Sequence, residues 1–450
     1  MKNLESPPEN VDLFSQDFVQ NGWIENYRLL SNPECKKALE RMNEEYLYWD
    51  KIKYQKLPKI DNLTPEKFWK VLKLKRELAS IPIMFGLRKF QYVLTNHIAK
   101  SLHEFDMNFG GNISLEGAPD IDRRQYLISS IMEEAIASSQ IEGAVTTRKK
   151  AKEMLRKMLP PKNISEQMIL NNYQTIQHIS SIKNRKLTAD LLLQIHKSMT
   201  NATLENPNDE GRFRENDEIH VVDSTDNETV YIPPPYTEIP ELINLLCEYF
   251  NDGSDDEFYI HPIVKGCIIH FMIGWIHPFA DGNGRTARAL FYWYLLNKGY
   301  WLIEYMSISK LIIKSKSQYA RAYLYTEHDD NDLTYFINYK INTLHLAFNG
   351  LKTYLQKKVK EKKQFQIIIQ LGHINERQAE IIRMLYDDEP SLSVKELANL
   401  FNVSDQTVRN DLATLVSRKI VKEIPLNNKM NIYGKGDKFS EFVERSSAKK

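Results

Sequence analysis

The chain has 450 residues, of which 42% are hydrophobic and 26% are charged, and its formal net charge is +1. This length predicts two or three domains, because one hydrophobic core seldom grows beyond roughly 250–300 residues. The small net charge argues against a basic protein that coats nucleic acid and against an acidic tail protein. The three cysteines, Cys35, Cys247 and Cys267, are too widely spaced for a disulfide framework or a zinc site, and they indicate isolated buried thiols.

No targeting or membrane-spanning segment is predicted. The N-terminal residues MKNLESPPEN lack the basic-then-apolar pattern of a signal peptide. The most apolar stretch, GCIIHFMIGWIHPF, is too short to cross a bilayer and contains two histidines. We therefore expect a cytoplasmic protein with no membrane partner.

Helical periodicity dominates the first part of the chain, and strand signals are few. Two helices are predicted between Pro65 and about His103, followed by a loop rich in Gly and Asn at Asn108–Asn112. A further helix is predicted over Ile121–Ser139, and another begins near Glu166.

The segment IHVVDSTDNETVYI, Ile219–Ile232, differs because two short β-prone runs flank a polar turn, which predicts a β-hairpin. Helices are predicted after it at Ile239–Phe250 and Pro262–Trp275, and a later buried helix ends at Gly299. Helical segments continue to about Gln370, and the basic run KKVKEKKQ is typical of a solvated helix face or a linker. These elements predict a mainly α fold with a small β-hairpin.

The last 80 residues have a separate pattern of helix, helix, short turn, helix and hairpin, which resembles a winged helix-turn-helix domain. Ser404 is the predicted N-cap of the third helix. That helix would present Gln406, Thr407, Arg409 and Asn410 to the major groove of DNA. Residues 376–450 contain 13 Lys and Arg against 12 Asp and Glu, whereas DNA-binding modules usually show a basic excess. A protein-binding or dimerising domain therefore remains an alternative to a DNA-binding one.

The stretch HPFADGNGRTAR, His277–Arg288, combines features that suit an anion. Gly282 and Gly284 allow a tight turn and a close approach of a ligand to the backbone. Backbone N–H groups at the start of a helix favour a bound anion. Arg285 and Arg288 add permanent positive charge in a geometry suited to phosphate. The stretch therefore predicts a polyphosphate-binding loop.

Two residues of this stretch are candidates for the chemistry itself. Asp281 lies at the mouth of the loop, and one or two carboxylates together with phosphate oxygens suffice to hold Mg²⁺. A neutral His277 imidazole can take a proton from a hydroxyl group that attacks a phosphate. Each residue alone has a structural explanation, but their combination within one short stretch favours a functional site.

The stretch resembles the signature of the Fic family, HPF-x-[DE]-GN-G-R-x-x-R, at every fixed position. The helix before it and the upstream hairpin fit the family as well, and the resemblance covers roughly residues 65–349. It implies a helical core with a hairpin flap, and transfer of AMP from ATP to a Tyr, Ser or Thr hydroxyl of a target protein or of the chain itself. Gly284 is similar to the AMP-transferring branch, because the phosphate-transferring branch tends to have lysine there.

The resemblance also implies a role for individual residues. His277 is similar to the general base of the family and Asp281 to its Mg²⁺ ligand. The hairpin is similar to the flap that holds the target as an added strand. The implied nucleotide-binding residues are Gly282, Asn283, Gly284, Arg285, Thr286, Arg288, Glu142, Ile219, Val221 and Tyr319.

A second short motif, SSQIEGAVTT, lies upstream of the signature. Alone it is the end of an amphipathic helix with a C-terminal glycine. Beside the signature it resembles the inhibitory motif of the family, [ST]-x-x-x-E-[GN], matched by Ser138, Glu142 and Gly143. A Glu142 carboxylate paired with Arg288 would keep that arginine from the γ-phosphate of ATP. In some relatives the same glutamate is thought to position a water that removes AMP.

The expected organisation is an N-terminal helical extension at 1–110, a catalytic core with its inhibitory helix at 111–355, and a winged-helix domain at 371–440. The expected function is that of an autoinhibited protein adenylyltransferase with ATP as substrate and Mg²⁺ as cofactor. One alternative is a transcription regulator whose core senses nucleotide while the winged helix binds DNA. Another keeps the enzyme but replaces ATP with UTP or a different donor. Family members often dimerise, so the oligomeric state is open between a monomer and a homodimer.

Overall fold

The computed structural model describes residues 4–8, 23–108, 120–222, 228–253, 259–372, 374–386, 391–427 and 430–442. This part of the chain is mainly helical, which confirms the predicted fold class. Its helices are α1 (Trp23–Ser31), α2 (Pro33–Glu44), α3 (Trp49–Ile52), α4 (Pro65–Leu78), α5 (Asn96–Met107), α6 (Asp120–Ile141), α7 (Arg148–Lys157), α8 (Ile164–Ser181), α9 (Ala189–Thr200), α10 (Ile239–Phe250), α11 (Pro262–Ile276), α12 (Asn283–Asn297), α13 (Ser309–Ile312), α14 (Lys316–His328), α15 (Thr334–Gly372), α16 (Glu376–Tyr386), α17 (Val394–Phe401) and α18 (Asp405–Ser417).

The described strands form small antiparallel sheets. Two of the sheets are hairpins, and the third has the strand order β5-β7-β6. The strands are β1 (Ser80–Phe85), β2 (Arg88–Val93), β3 (Val221–Val222), β4 (Thr229–Tyr231), β5 (Leu392–Ser393), β6 (Val421–Asn427) and β7 (Met430–Lys435).

Helices α11 and α12 form the centre of the largest hydrophobic cluster. Thirteen of the 15 residues of α11 are buried, so this helix is covered on all sides rather than along one stripe. A Cβ added at Gly266 would lie 3.3 Å from the side chains of Leu295 and Tyr294. The glycine therefore lets the two helices pack closely, and their facing ends carry the signature stretch.

One predicted region is wrong in its middle part. The segment 65–103 was expected to hold two helices, and it contains α4 and most of α5, but the β1–β2 hairpin between them was not predicted. The hairpin turns at Gly86, whose φ of +62° is strained for residues with a side chain. Ile83 and Phe90 pair across the two strands and point into the core. Tertiary packing thus selects strands where the apolar periodicity alone favoured a helix.

The second hairpin is present but shorter than predicted. Its strands cover Val221–Val222 and Thr229–Tyr231, and the register shifts between Val221 and Val222. Residues 223–227 of the predicted turn lie outside the described residues, as do 109–119, which include most of the predicted Asn108–Asn112 loop. The helices predicted from Ile121, from near Glu166, at Ile239–Phe250 and from Pro262 are confirmed to within a few residues.

The N-terminal helices attach to the core through buried polar contacts. Arg76, which is 1% exposed, donates to the Tyr335 hydroxyl at 2.8 Å and to the Leu47 carbonyl at 3.0 Å. The Tyr335 hydroxyl in turn donates to Asp329 at 2.8 Å. Because a buried charge is tolerated only when it is hydrogen-bonded or paired, this chain of contacts fixes α4 against α14 and α15. The domain boundary at residue 110 remains a proposal, since Phe105 packs in the same cluster as α11.

The C-terminal residues form a helix-turn-helix followed by a β-hairpin wing, as predicted. Ser404 caps α18 by accepting a hydrogen bond from the Thr407 N–H at 3.2 Å. Ser393 and Glu396 form a capping box at the start of α17. The three helices and the sheet share a separate hydrophobic cluster. The backbone of α15 continues as a helix through 357–364, the basic run before this domain.

The cysteines match the prediction of isolated buried thiols. Cys35, Cys247 and Cys267 are buried and carry no disulfide. Within the described ranges, no helix combines the length and apolarity needed to cross a membrane.

We expect Leu290→Ala to destabilise the protein by about 2–5 kcal/mol, because the side chain is fully buried between α11 and α12 and its removal leaves a cavity. Thermal unfolding followed by circular dichroism measures the loss. Leu346→Ala is the matched control, since Leu346 is 62% exposed on α15. Equal melting temperatures for the two variants would contradict the central position of α12.

Candidate active site

The signature stretch forms the turn between α11 and α12. Gly282 precedes α12 with a φ of +84°, which places the N–H groups of the first helical turn at the end of the loop. The Asn283 side chain closes the loop by accepting from the Phe279 N–H at 3.0 Å and donating to the Phe279 carbonyl at 2.8 Å. Asn283, which is predicted to bind phosphate, uses its side-chain amide to hold the loop backbone. The backbone N–H groups of the first turn of α12 are further candidate donors to a phosphate.

His277 ends α11 in the left-handed backbone conformation, with φ 49°. Its Nδ1 lies 3.2 Å from the Gly274 carbonyl, which can only accept a hydrogen bond. The proton therefore belongs on Nδ1, and the lone pair is on Nε2. Burial lowers the pKa of His277 below its usual value, although the Gly274 carbonyl opposes the shift. A neutral imidazole with a free Nε2 lone pair at the cavity wall suits a general base.

Arg214 holds the backbone of His277 in place, and the sequence alone did not identify it. Its Nε donates to the His277 carbonyl at 3.0 Å, and its backbone N–H donates to the Pro278 carbonyl at 2.9 Å. The guanidinium also donates to the Pro234 carbonyl, just after the flap strand β4. One buried arginine thus connects the loop that carries His277 to the chain segment that follows the flap.

His196 supports the other end of the same loop from α9. Its Nε2 lies 2.8 Å from the Asp281 carbonyl, and its Nδ1 lies 3.1 Å from the Gly211 N–H. These partners require a neutral ring with the proton on Nε2, and burial lowers the pKa of His196 to about 4. The ring stacks on Phe279 with centroids 3.7 Å apart. His196 was missed because 85 residues separate it from its partner in the chain.

Arg288 lies within reach of the predicted inhibitory motif. Its Nε donates to the Ser138 hydroxyl at 2.8 Å, and its Nη2 donates to the Ser138 carbonyl at 3.0 Å and to Glu142 Oε1 at 2.8 Å. Arg288 is 3% exposed, and among the described residues its Nη1 has no hydrogen-bond partner. A buried guanidinium with an open donor is an attractive contact for an anion entering the cavity.

The Glu142 carboxylate lies directly over the first turn of α12. A Cβ added at Gly284 would overlap Glu142 Oε1 and would lie 3.1 Å from Arg288 Nη1. Glu142 therefore occupies the place where the helix N-terminus and Arg288 would together attract a phosphate. Gly143, the next residue, has a φ of +95° and takes no part in the contact between the Glu142 carboxylate and Arg288.

The structure separates the remaining predicted nucleotide-binding residues into two groups. Val221 and Tyr319 line the cavity beside His277. Arg285 lies behind the loop, where it donates to the Met199 carbonyl at 3.2 Å and to Asp281 at 3.3 Å, and its phosphate contact stays a prediction. Thr286 is 0% exposed within α12. Ile219 is half-buried ahead of β3 and lies outside the described cavity wall.

The cavity has a volume of about 410 Å³ and runs from the α12 N-terminus to α14. Tyr319, Tyr323 and Glu327 follow one another at four-residue spacing along the face of α14 that lines it. The Tyr319 hydroxyl lies 2.8 Å from His270 Nε2. Burial raises the pKa of Glu327 to about 8, so its carboxyl is neutral at pH 7 and can donate a hydrogen bond. The four-residue spacing was a sequence signal that could have identified Tyr323 and Glu327.

Asp281 is the candidate metal ligand at the cavity mouth. Its side chain is 58% exposed, and one oxygen accepts from the Gly282 N–H while the other faces Arg285. No cluster of three or more His, Cys, Asp or Glu side chains able to hold a metal occurs among the described residues. The donor set therefore fits Mg²⁺ that arrives with a polyphosphate and takes one protein carboxylate, and does not fit an all-protein metal site.

Glu327→Gln is expected to stabilise the protein more at pH 8 than at pH 5. The folded-state pKa of about 8 lies above the unfolded value of 4.5, so wild-type stability falls as the pH rises between these values. The glutamine side chain of the variant does not titrate, so the variant keeps the free energy of unfolding that wild type loses. At pH 8 this difference should reach on the order of 3 kcal/mol. Melting temperatures of both proteins at the two pH values measure it, with Glu248→Gln on the exposed face of α10 as control. A pH-independent difference would show that Glu327 is already ionised at pH 5.

Comparisons with known proteins agree with this geometry. Residues 186–295 match the Fic/DOC family model, and residues 377–424 match the model of the DeoR-like helix-turn-helix domain. The chain is 24% identical over 296 residues to a protein adenylyltransferase Fic of Nematostella vectensis, which covers 64% of this chain and 55% of the relative. It is 30% identical over 118 residues to a protein of the same name from Aedes aegypti, covering 26% of this chain and 21% of that one.

Solved structures include similar chains as well. A Fic family protein from Desulfovibrio desulfuricans has 20% identity and a TM-score of 0.49, covering 77% of this chain and 98% of its own. Fic-1 from C. elegans has 17% identity and a TM-score of 0.44, covering 59% of this chain and 71% of its own.

The chain spans about half the length of the Nematostella relative and about a fifth of the Aedes one. The first family match contains the signature stretch together with His196 and Arg214, the two residues that hold its loop. Residues 186–295 are thus a Fic domain, and residues 377–424 are a DeoR-like helix-turn-helix domain near the C-terminal end of the chain.

Proposed function

We propose that this protein is an adenylyltransferase that transfers AMP from ATP to a hydroxyl side chain of a protein, and that Glu142 holds it in an autoinhibited state. The observation that carries the proposal is the 2.8 Å contact between Glu142 and Arg288 above the N-terminus of α12. The names of the curated relatives support the activity. The neutral His277 beside the same cavity supports the chemistry.

The transfer requires a nucleophile, a base and a stabilised leaving group. His277 Nε2 removes the proton of the attacking Tyr, Ser or Thr hydroxyl, whose oxygen forms a bond to the α-phosphorus of ATP. The bond from that phosphorus to the bridging oxygen breaks, and pyrophosphate leaves. Backbone N–H groups at the start of α12 stabilise the negative charge on the phosphates, because they are aligned before the substrate arrives.

The residues at the cavity mouth suit the other components of the reaction. Asp281 would contribute one carboxylate to Mg²⁺, which neutralises phosphate charge when bound. The exposed β3 strand, where Val222 is 50% exposed, would bind an extended target segment as an added strand. Because this pairing uses backbone hydrogen bonds, it depends little on the side chains of the target. A segment of the chain itself could therefore also be modified.

Autoinhibition follows from competition for Arg288. While Glu142 holds Nη2, a γ-phosphate cannot form a bidentate contact with the guanidinium. ATP then lacks the contact that aligns its α-phosphate with His277. Removal of the carboxylate frees both the guanidinium and the space over Gly284.

We expect Glu142→Gly to incorporate label from ATP labelled at the α-phosphate at least ten times faster than wild type, because a charge-assisted contact is worth about 1.5–3 kcal/mol. Autoradiography of the purified protein with Mg²⁺, alone and with a cell extract, gives the rate. Glu142→Gly/His277→Ala is the control and should carry no label. Label in the double variant would exclude His277 as the base, and equal rates for wild type and Glu142→Gly would exclude the inhibitory role.

The donor is tested by competition in the same assay. Unlabelled ATP should suppress labelling of Glu142→Gly at lower concentration than UTP, GTP or CTP. Suppression by UTP at lower concentration than ATP would favour a uridylyltransferase, the alternative in which the donor differs.

A second candidate function is DNA binding, supported by the DeoR-like domain match and by the exposure of Gln406, Arg409 and Asn410 on α18. In this case nucleotide binding to the Fic domain would regulate a transcription factor. Arg409→Ala should weaken binding to DNA several-fold and reduce its salt dependence by about one phosphate contact. A mobility-shift assay at low and moderate salt measures both. No shift of wild type even at low salt would exclude this function.

A further inference from the structure

The segment that carries Glu142 is a helical hairpin whose two arms are tied together. This inhibitory hairpin comprises α6, the loop 142–147 and α7. Glu133 on α6 pairs with Arg148 and, at 3.0 Å, with Lys152 on α7. A shift of α7 therefore displaces α6, the helix that ends at Ile141, immediately before Glu142.

The inhibitory hairpin has little hydrophobic core of its own. The cluster that joins α6, α7 and α8 contains six buried residues: Met132, Ile136, Ala151, Met154, Leu155 and Ile169. This is small beside the main cluster around α11 and α12. Because stability of a helix in a protein comes mostly from packing of its apolar face, the position of α7 depends on what covers its remaining surface.

The winged-helix domain covers that surface. Arg156 on α7 donates to Glu396 on α17 at 2.6 Å, and the two side chains are only 17% and 9% exposed. Beside this ion pair, Leu155 of α7 and Leu400 of α17 line a common cavity of about 190 Å³. Leu400 also belongs to the hydrophobic cluster of its own domain, together with Leu397 and Phe401, so the contact with α7 is continuous with the packing of the winged-helix domain.

We propose that the winged-helix domain is a regulatory domain for the Fic domain of the same chain. It docks α17 on α7 and so holds Glu142 against Arg288. This inference rests on the proposed function. The chain of contacts is continuous: Glu396 to Arg156, then α7 to α6 through Glu133, and then Glu142 to Arg288.

The sign of the effect follows from linkage. In this proposal the contact of α17 with α7 and the Glu142–Arg288 pair are coupled through the Glu133 ion pairs between α6 and α7, so by linkage each contact stabilises the state in which the other is formed. Loosening the interface therefore shifts the population toward conformations in which Glu142 leaves Arg288. A buried ion pair is a sensitive point for such a change, because removal of one partner leaves the other charge buried without compensation.

Glu396 has a second role that determines the choice of variants. Its Oε2 accepts from the Ser393 N–H at 3.3 Å as part of the capping box of α17, while its Oε1 accepts from Arg156. Glutamine also serves at this position of a capping box. Glu396→Gln therefore removes the charge of the ion pair and leaves the cap, whereas Ser393→Ala weakens the cap and leaves the ion pair.

The test compares full-length variants in the α-labelled ATP assay, with Glu142→Gly as the fully released reference. Arg156→Glu and Glu396→Gln should each label at least about five-fold faster than wild type, in the usual range of coupling between sites. The charge-reversed pair Arg156→Glu/Glu396→Arg should return toward the wild-type rate. Ser393→Ala, and Glu153→Gln on the same helix as Arg156, should remain within two-fold of wild type. Circular dichroism checks that each variant is folded.

Two measurements keep this inference separate from the proposed function. If Glu142→Gly itself takes no label, the proposed function fails, and hydrogen exchange then decides the docking. Arg156→Glu should speed amide exchange in α6 and in the loop 142–147, and Ser393→Ala should not. If Glu142→Gly labels while Arg156→Glu and Glu396→Gln match wild type, docking does not hold Glu142 and the inference is overturned. Release by Ser393→Ala as strong as by Glu396→Gln would also overturn it, because a general loss of domain stability would then explain the effect.

Discussion

The pairing of Glu142 with Arg288 is the interaction on which the organisation of the active site depends. Arg288 is buried, and a buried guanidinium must have acceptors around it. Ser138 and Glu142 supply them from α6, which places the end of this helix over the first turn of α12. An anionic substrate group would be attracted to the same two features, the guanidinium and the helix N-terminus. In the function proposed above, the Glu142 carboxylate therefore takes the position of a substrate phosphate.

The rest of the site is held in place by contacts that do not involve this carboxylate. Arg214 holds the backbone of His277, His196 holds the carbonyl of Asp281, and the Asn283 side chain closes the loop between them. The two buried histidines have opposite roles that their hydrogen bonds define. His196 uses both ring nitrogens to hold backbone groups, whereas His277 uses only Nδ1, which leaves Nε2 for the proton transfer that we propose. Preorganisation of this kind is the usual source of electrostatic catalysis.

The sequence predicted the helical fold, the winged helix and the pairing of Glu142 with Arg288, because each follows from a local pattern or from the resemblance of a short motif. Its prediction of phosphate contacts for Asn283 and Arg285 stays a prediction, and the structure adds that both side chains also hold the loop. A motif identifies which residues belong to a site, but it cannot distinguish a side chain that faces the ligand from one that supports the backbone behind it. The β1–β2 hairpin was missed because the spacing of its apolar residues also fits a helix. The packing that favours strands, such as the contact between Phe90 and Trp275, involves residues far apart in the sequence. The docking of α17 on α7 had no local signal, because 240 residues separate Arg156 from Glu396.

The most direct test of the account is the affinity of ATP relative to ADP, measured by calorimetry with Mg²⁺ in a His277→Ala background that prevents transfer. The γ-phosphate is the one group that distinguishes the two ligands, and Arg288 is the residue proposed to bind it. Removing Glu142 in this background should raise the affinity for ATP about ten-fold or more and change that for ADP much less. An equal change for both nucleotides, or no change for either, would contradict the claim that Glu142 and the γ-phosphate compete for Arg288.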